Sequence, residues 1–533
     1  PTLAAEQAEP APEAVAAAGV VAAAGSAAGA AKRTSTAFRV PPAAAGRPRA
    51  WEHSPWRPPQ AQPITPLPAT RPWSALARVT AESADPGATT SPAAPAATAT
   101  SSSHCSEQIQ ANPVPRPDTR WFRHELTPTW SATATTLAGH QPPDLNRPFR
   151  LAWFGCRATF NPAVAAAVHP GAEMLAWDPD PTRIAEVRHL RDEAELSNLL
   201  VHEHPDLSPS AAGLFDMMVI DGLVDAVDDG RRAQLLERAV GLLRPGGMLC
   251  ITFRTVVGWG EFVPVVRLLR HAVNRTSRDV ATSVADAMVL LDIFREREVG
   301  YLSTRPMVRA WVDALLESTV DEVETEYVQR DLRPASHAQI SQAVAMAGGS
   351  FIGSALLDDG LPDGVPEKLA TLVNATLSQV LRASLTDLVL RRSFRADLFT
   401  LGGLSETPMV TAQRITTLSL AAFATDQRFV DQQSPMWQDR SPDAEPTIDQ
   451  LGSGPQTVGE LWAGASAKER QRQLRRALRS GHMPPARDAA PDPAAVDASA
   501  RLAGTLNGAG MPQAHRHIVT PMAGSAVPAG LED

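Results

Sequence analysis

Four short apolar runs in the middle of the chain each end in a residue able to do chemistry. FRLAWFG (149–155) ends in Gly155, followed by Cys156 and Arg157. EMLAWD (173–178) ends in Asp178, FDMMVIDG (215–222) in Asp221 and Gly222, and MLCITF (248–253) runs into Arg254 and Thr255. In an open α/β sheet, ligands bind outside the carboxyl ends of the strands, where the strand order reverses. A carboxylate closing a second strand can accept both hydroxyls of a ribose, which suits Asp178. The string WDPDP is also rich in turn formers, so a solvated turn carboxylate is the alternative reading of the same residue.

These tips must be positioned by regular elements. SNLLVHE (197–203) adds a further strand, and helices are expected over about 161–168, 181–194 and 231–243. Continuous apolar strands alternating with helices imply a parallel sheet covered on both faces. This predicts a doubly wound, Rossmann-like α/β domain over 146–357, with a helical insertion at 260–320. A helix over 336–346 and a strand over 350–357 close it. Residues 366–400 read as amphipathic helix inside a helical region spanning 358–432. A Pro/Asp/Ser-rich linker follows at 433–454. Residues 455–485 read as a helical hairpin in a small C-terminal domain, and 486–533 as a loose tail.

Composition limits the rest. The chain has 533 residues, 44% hydrophobic and 20% charged, with formal net charge −9. An acidic balance disfavours nucleic acid as the main partner. Residues 1–145 are rich in Ala, Pro, Ser, Thr and Arg and hold few branched aliphatics. Such a segment cannot bury enough surface to offset chain entropy of about 1–2 kcal/mol per residue. It therefore reads as disordered, with Trp51, Trp56 and Trp73 as possible docking points. The chain begins with Pro1 rather than Met, so a start further upstream is expected.

Three cysteines, Cys105, Cys156 and Cys250, form no CxxC pair, which argues against a disulfide framework or a zinc knuckle and for a reducing cytoplasm. The most apolar long stretch, 15–31, is mostly alanine and glycine, so no membrane span or signal peptide is expected. His202-Glu203-His204 lacks a third ligand, and no metal is expected. His515 and His517 read as solvated. No phosphate-binding GxxxxGK[ST] and no GxSxG elbow is present, and the glycines of GSGP (452–455) read as turn formers. The arginines between Arg470 and Arg479 read as a solvated helix face.

The stretch 149–259 resembles a class I S-adenosylmethionine-dependent methyltransferase. More narrowly, the chain is similar over about 149–485 to bacterial methyltransferases that carry a methyltransferase regulatory domain, a group that includes protein-lysine methyltransferases. The strings that carry this are FGC (154–156), WDPDPTRIAE (177–186), FDMMVIDGLVDAV (215–227) and LLRPGGMLCITFRTVVGWGEF (242–262). EYVQRDLRPASHAQIS (326–341) and LVLRRSFRADLF (388–399) resemble the regulatory region, and 455–485 its winged-helix-like part.

The resemblance implies S-adenosyl-L-methionine as cofactor, a protein side chain (lysine in that group) as methyl acceptor, and a cytoplasmic protein. Carried over by position, Gly155 and Cys156 face the methionine part of the cofactor and Asp178 holds the ribose. Glu203 and the residues to Asp206 flank the adenine. Asp221 sits over the cofactor and is the candidate catalytic residue.

The sequence departs from the family pattern. The acidic position of the first loop is Trp153, two loop glycines are Arg157 and Thr159, the usual His after the fourth strand is Asp221, and Arg254 replaces a small polar residue. Two functions therefore stand side by side: a working methyltransferase with an unusual loop, or a fold-retaining, catalytically degenerate module that binds or regulates. A guanidinium lodged in the crevice would favour the second.

Overall fold

A computed structural model describes residues 122–203, 213–275, 278–357, 366–421, 455–480, 483–486, 492–508, 517–520 and 525–528. Residues 1–121, with Cys105 and the three tryptophans read above as docking points, lie outside the described residues. So do His204–Asp206, His515 and the 433–454 linker.

The sheet has seven strands. They are β1 (Arg150–Phe154), β2 (Glu173–Trp177), β3 (Leu199–Val201), β4 (Phe215–Asp221), β5 (Leu243–Arg254), β6 (Gly349–Ser354) and β7 (Phe394–Leu401). Their order is β3-β2-β1-β4-β5-β7-β6. The first five run parallel, and β7 is antiparallel to both β5 and β6. The chain leaves β1 toward β2 and β3, then returns to place β4 on the other side of β1. The crevice of a doubly wound sheet therefore opens between β1 and β4. Register brings the tips level: Phe154 pairs with both Trp177 and Ile220, and Asp221 with Thr252. Gly155, Asp178 and Asp221 thus emerge at one height.

The helices expected at 161–168, 181–194 and 231–243 are present as Phe160–Val168, Pro181–Glu193 and Asp229–Leu242. The turn chemistry of WDPDP is realised one residue past the functional candidate. Asp180 caps the second helix, accepting the Thr182 N–H, with Pro181 at its first position.

Four boundaries differ from the sequence reading. The folded core includes residues before 146: Phe122, Leu126, Trp130 and Leu137 are buried in it, and Pro128–Leu137 is a helix. Few apolar residues suffice there because they are large, and the helix is buried on nearly all sides, the hydroxyls of Thr133, Thr135 and Thr136 bonding back to its own carbonyls. Second, 366–400 is not helical to its end. Phe394–Leu401 is β7, wedged between β5 and β6, so the sheet extends well beyond 357. Arg391 breaks the preceding helix in the left-handed conformation, φ 48°.

Third, the small C-terminal domain does not start at 455. Its strands Gln456–Thr457 and Pro485–Ala486 flank Ser419–Leu420, which follows the helix Pro408–Thr417. Leu474, Ala477 and Leu478 of its helix Ala467–Ser480 join the same core as Leu126 and Trp130. Fourth, the tail is partly ordered. A helix over Pro493–Gly508 buries Ala495, Ala498, Leu502 and Leu506, an i, i+3, i+7, i+11 stripe. It packs on Phe160–Val168, which is why every residue of that alanine-rich helix is buried.

The helical insertion forms its own hydrophobic cluster around Trp259, Phe262, Leu269, Val284, Trp311 and Tyr327. The rings of Trp259, Phe262, Trp311 and Tyr327 meet edge to face, 5.3–6.3 Å apart for the pairs Phe262–Trp311, Trp311–Tyr327, Trp259–Phe262 and Trp259–Trp311.

Residues 122–137 belong to the folded core, so Trp130→Ala should cost about 3–5 kcal/mol of stability in urea unfolding, as a large buried aromatic does. Wild-type stability in that variant would remove this segment from the core.

Candidate functional site

Gly155 sits at the β1 tip with φ +84°, and a Cβ there would lie 2.2 Å from the Asp221 carbonyl oxygen. The first demand on this glycine is therefore the approach of β1 to the backbone of β4. Its N–H donates to the Trp177 carbonyl at 2.8 Å, tying it to β2 as well. Cys156 follows with its N–H donating to Asp178 Oδ2 at 2.6 Å. Its thiol is fully buried, and burial pushes it well above the ordinary cysteine value, so it is an inert packing group.

Asp178 is placed as the sequence reading expects, at the β2 tip beside Gly155. Its side chain is 0% exposed. Oδ1 accepts the Asp180 N–H at 2.8 Å and the Arg330 guanidinium at 2.6 Å. A buried carboxylate requires such partners, because desolvation otherwise favours its neutral form. Arg330 comes from far along the chain, and burial is outweighed there by Asp178, so its pKa is raised further.

Asp221 stands at the β4 tip, fully buried. Oδ1 accepts the Thr252 hydroxyl at 2.7 Å and Arg123 at 3.4 Å, while Oδ2 accepts the Ala158 N–H at 3.1 Å. Both oxygens of this candidate catalytic residue are thus engaged by the fold. Asp221 joins β5, the β1 loop and the front segment. Glu203 follows β3 with its carboxylate 72% exposed and facing Arg188, while its carbonyl reaches inward and accepts the Trp177 indole N–H at 2.8 Å.

Residues that the sequence reading did not single out as site residues complete the arrangement. Glu326 accepts from both Arg157 and Arg254. Asp225 Oδ2 accepts the Arg254 backbone N–H at 3.0 Å. The Arg254 guanidinium lies 4.9 Å from the centre of the Trp259 ring, a cation–π contact. Burial, and then Arg157, lower Arg254 to about 9; burial and Arg330 lower Arg183 to about 10. Both remain cationic at neutral pH. The stem of Arg157 crosses Gly222, whose φ is +65° and whose Cβ would lie 3.1 Å from Arg157 Cδ.

Guanidinium groups of Arg123, Arg157, Arg183, Arg254 and Arg330 thus interleave with carboxylates of Asp178, Asp180, Asp221, Asp225 and Glu326 across the tips of the strands. The indole of Trp153, at the family's acidic position, is buried in the main core instead. Glu326 and Arg330 stand four positions apart within EYVQRDLR, part of the string that carries the regulatory-region resemblance. Nothing in the sequence marked Arg123.

Among the described residues, several buried polar atoms here lack a protein partner: Arg157 Nε, Thr159 Oγ1, Arg183 Nη1 and Asp225 Oδ1. Buried polar groups of this kind are normally satisfied by water or ligand. They supply donors for a carboxylate and one acceptor for an amine.

A family model described as a predicted methyltransferase regulatory domain matches residues 323–400. The structure of PKMT2 from Rickettsia typhi is similar, with TM-score 0.52 and 15% identity, covering 68% of this chain and 76% of that one. The same protein in complex with AdoHcy matches at TM-score 0.52 and 16% identity over the same shares. This chain has the fold of a class I S-adenosylmethionine-dependent methyltransferase. An uncharacterized Synechocystis protein, sll1526, is 24% identical over 359 residues, 65% of this chain and 70% of that one.

The regulatory-domain match upholds the resemblance read from EYVQRDLRPASHAQIS. It also contains Glu326, Arg330 and β7, so in this methyltransferase fold the matched segment both completes the sheet and reaches the crevice. No group of His, Cys, Asp and Glu suited to a metal occurs among the described residues. No described helix is long and apolar enough to cross a membrane.

A second polar cluster lies away from the crevice. Ser341 Oγ is 3.2 Å from His337 Nε2, and His337 Nδ1 is 2.7 Å from Asp397 Oδ2, with Arg395 on Asp397 Oδ1 at 2.7 Å. The spacing is that of a hydrolytic relay, but all of these side chains are buried between the helix His337–Met346 and β7. Without access for a substrate it pins that helix to the sheet. Burial alone would raise the Asp397 pKa, but Arg395 and His337 outweigh it and hold the carboxyl below its ordinary value.

A carboxyl depressed in the folded state stabilises above its unfolded pKa of about 3.9 and loses that contribution as pH falls through the folded value. Asp397→Asn should therefore lower stability at neutral pH by about 3–5 kcal/mol and flatten the acid limb below pH ~4. An unchanged acid limb in urea titrations would remove this role. Gly155→Ala should lower the melting temperature sharply, since the new methyl group meets backbone and not a movable side chain. A variant melting like the wild type would mean that β1 and β4 separate freely.

Proposed function

We propose that the chain is an S-adenosylmethionine-dependent methyltransferase acting on a protein side chain, with lysine the acceptor its resemblance favours. The observation that carries the reading is the convergence of Gly155, Asp178 and the partnerless donors Arg157 Nε and Thr159 Oγ1 on one crevice at the switch point. These residues fit the cofactor in kind. Asp178 suits the ribose diol, Arg157 and Thr159 suit the methionine carboxylate, and Asp225 Oδ1 suits its amine. The fit requires that Arg330 leave Asp178 and that the Arg157 stem leave Gly222.

When bound, the cofactor supplies an electrophilic methyl on a sulfonium. The chain's own residues orient and exclude water. Asp178 is preset by the Cys156 and Asp180 N–H groups, so its oxygens need not reorganise. Trp259 and its aromatic neighbours wall the crevice on the insertion side. A cleft of about 700 Å³ adjoins the Asp225 loop, lined among others by Asp228, Asp229, Arg232, Val256, Arg267 and Arg333. An acceptor amine must be neutral to attack, and partial desolvation in such a cleft lowers its pKa. Two buried free thiols, Cys156 and Cys250, are compatible with a cytoplasmic setting.

The second reading, a degenerate module that binds or regulates, is favoured by Arg157 lying over Gly222. Calorimetry with S-adenosylmethionine and the full chain separates the two. The enzyme reading expects micromolar binding, a rise in melting temperature by linkage, and at least tenfold weaker binding for Asp178→Ala. No heat and no shift at millimolar cofactor, in the wild type and in a variant lacking the Arg330 guanidinium, would leave the module.

A further inference from the structure

The segment after the helical insertion reaches the crevice with opposite charges one turn apart. The helix Val320–Val323 continues into a widened turn, Glu324–Val328, in which the Gln329 N–H reaches back to the Glu324 carbonyl at 2.9 Å. Tyr327 anchors it, buried against Trp311, with the Trp311 indole N–H 3.4 Å from the Tyr327 hydroxyl. This anchoring directs Glu326 between Arg157 and Arg254, and Arg330 onto Asp178. One turn therefore holds the β1 loop, the β2 tip and the end of β5 together. The contact falls on the carboxylate that the proposed function assigns to the ribose.

We propose that Arg330 is a built-in competitor of the cofactor: it occupies Asp178 when the 324–330 turn is docked, and cofactor binding requires its displacement. This rests on the methyltransferase reading of the crevice. The physical ground is that Asp178, at 0% exposure, cannot be left unpaired. Its carboxylate is satisfied either by a guanidinium or by a diol, and Arg330 Nη2 at 2.6 Å from Oδ1 takes the place of the diol. A partner or modification that lifted the turn would then open the crevice, and one that held it down would close it. The matched regulatory domain, 323–400, begins at this turn.

The test uses the full chain and S-adenosylhomocysteine, which cannot react. Arg330→Ala should bind about tenfold more tightly than wild type, a change of about 1.4 kcal/mol. Arg330→Lys, which keeps a cation, should fall between them. In the wild type, ligand should speed hydrogen exchange of the 324–330 amides as the turn releases. Equal or weaker binding by a cooperatively melting Arg330→Ala overturns the competition alone, as does ligand-slowed or unchanged exchange over 324–330 in a wild type that binds. The wild-type exchange measurement decides even if the alanine variant fails to fold. Binding by none of the three proteins removes the cofactor reading, and the competition with it. Binding by Arg330→Ala but not wild type supports both.

Discussion

A buried alternation of guanidinium and carboxylate groups over the strand tips is the constraint on which the rest of this structure depends. Each of these ions would be costly to bury alone, and removing one partner of a buried pair typically costs about 3–5 kcal/mol. The pairs must therefore be made by whatever chain is at hand. Arg123 arrives from the front segment, Arg157 from the β1 loop, Arg254 from the end of β5, and Glu326 and Arg330 from beyond the helical insertion. Segments far apart in sequence are held at one edge of the sheet because their charges have no other place to be satisfied.

The hydrophobic layers are arranged to serve that edge. The main core, which runs from Phe122 to Leu506, fixes the level of the β1, β2 and β4 tips. The separate aromatic cluster of the insertion sets Tyr327, and through it the turn carrying Glu326 and Arg330. Neither core alone determines the state of the crevice. The state depends on their relative placement, which makes ion pairs between them a natural point of control.

The fold was legible in the sequence where patterns are local. Five parallel strands and the helices between them follow from continuous apolar runs and caps, as in WDPDP, where Asp180 and Pro181 start a helix. β7 was not legible, since FRADLFTL begins with buried charged residues whose partners, Asp387 and Asp397, pair with Arg395 only in the folded sheet. The front helix was hidden by composition: a few large residues do the work that composition averages away. The tail helix was hidden because alanine becomes a core residue only when another alanine-rich helix faces it.

At the site, sequence alone determined residue types and the tips they occupy: Gly155 after β1, Asp178 after β2 and Asp221 after β4. Strand direction and period place those residues without knowledge of their neighbours. Only tertiary structure decided what each one does. Asp221 is spent on Thr252, Arg123 and the Ala158 amide, Glu203 faces outward, and Asp178 is held by Arg330. Electrostatic partnership in a buried edge is a property of distances in space, and residues separated by more than a hundred positions carry no local mark of it.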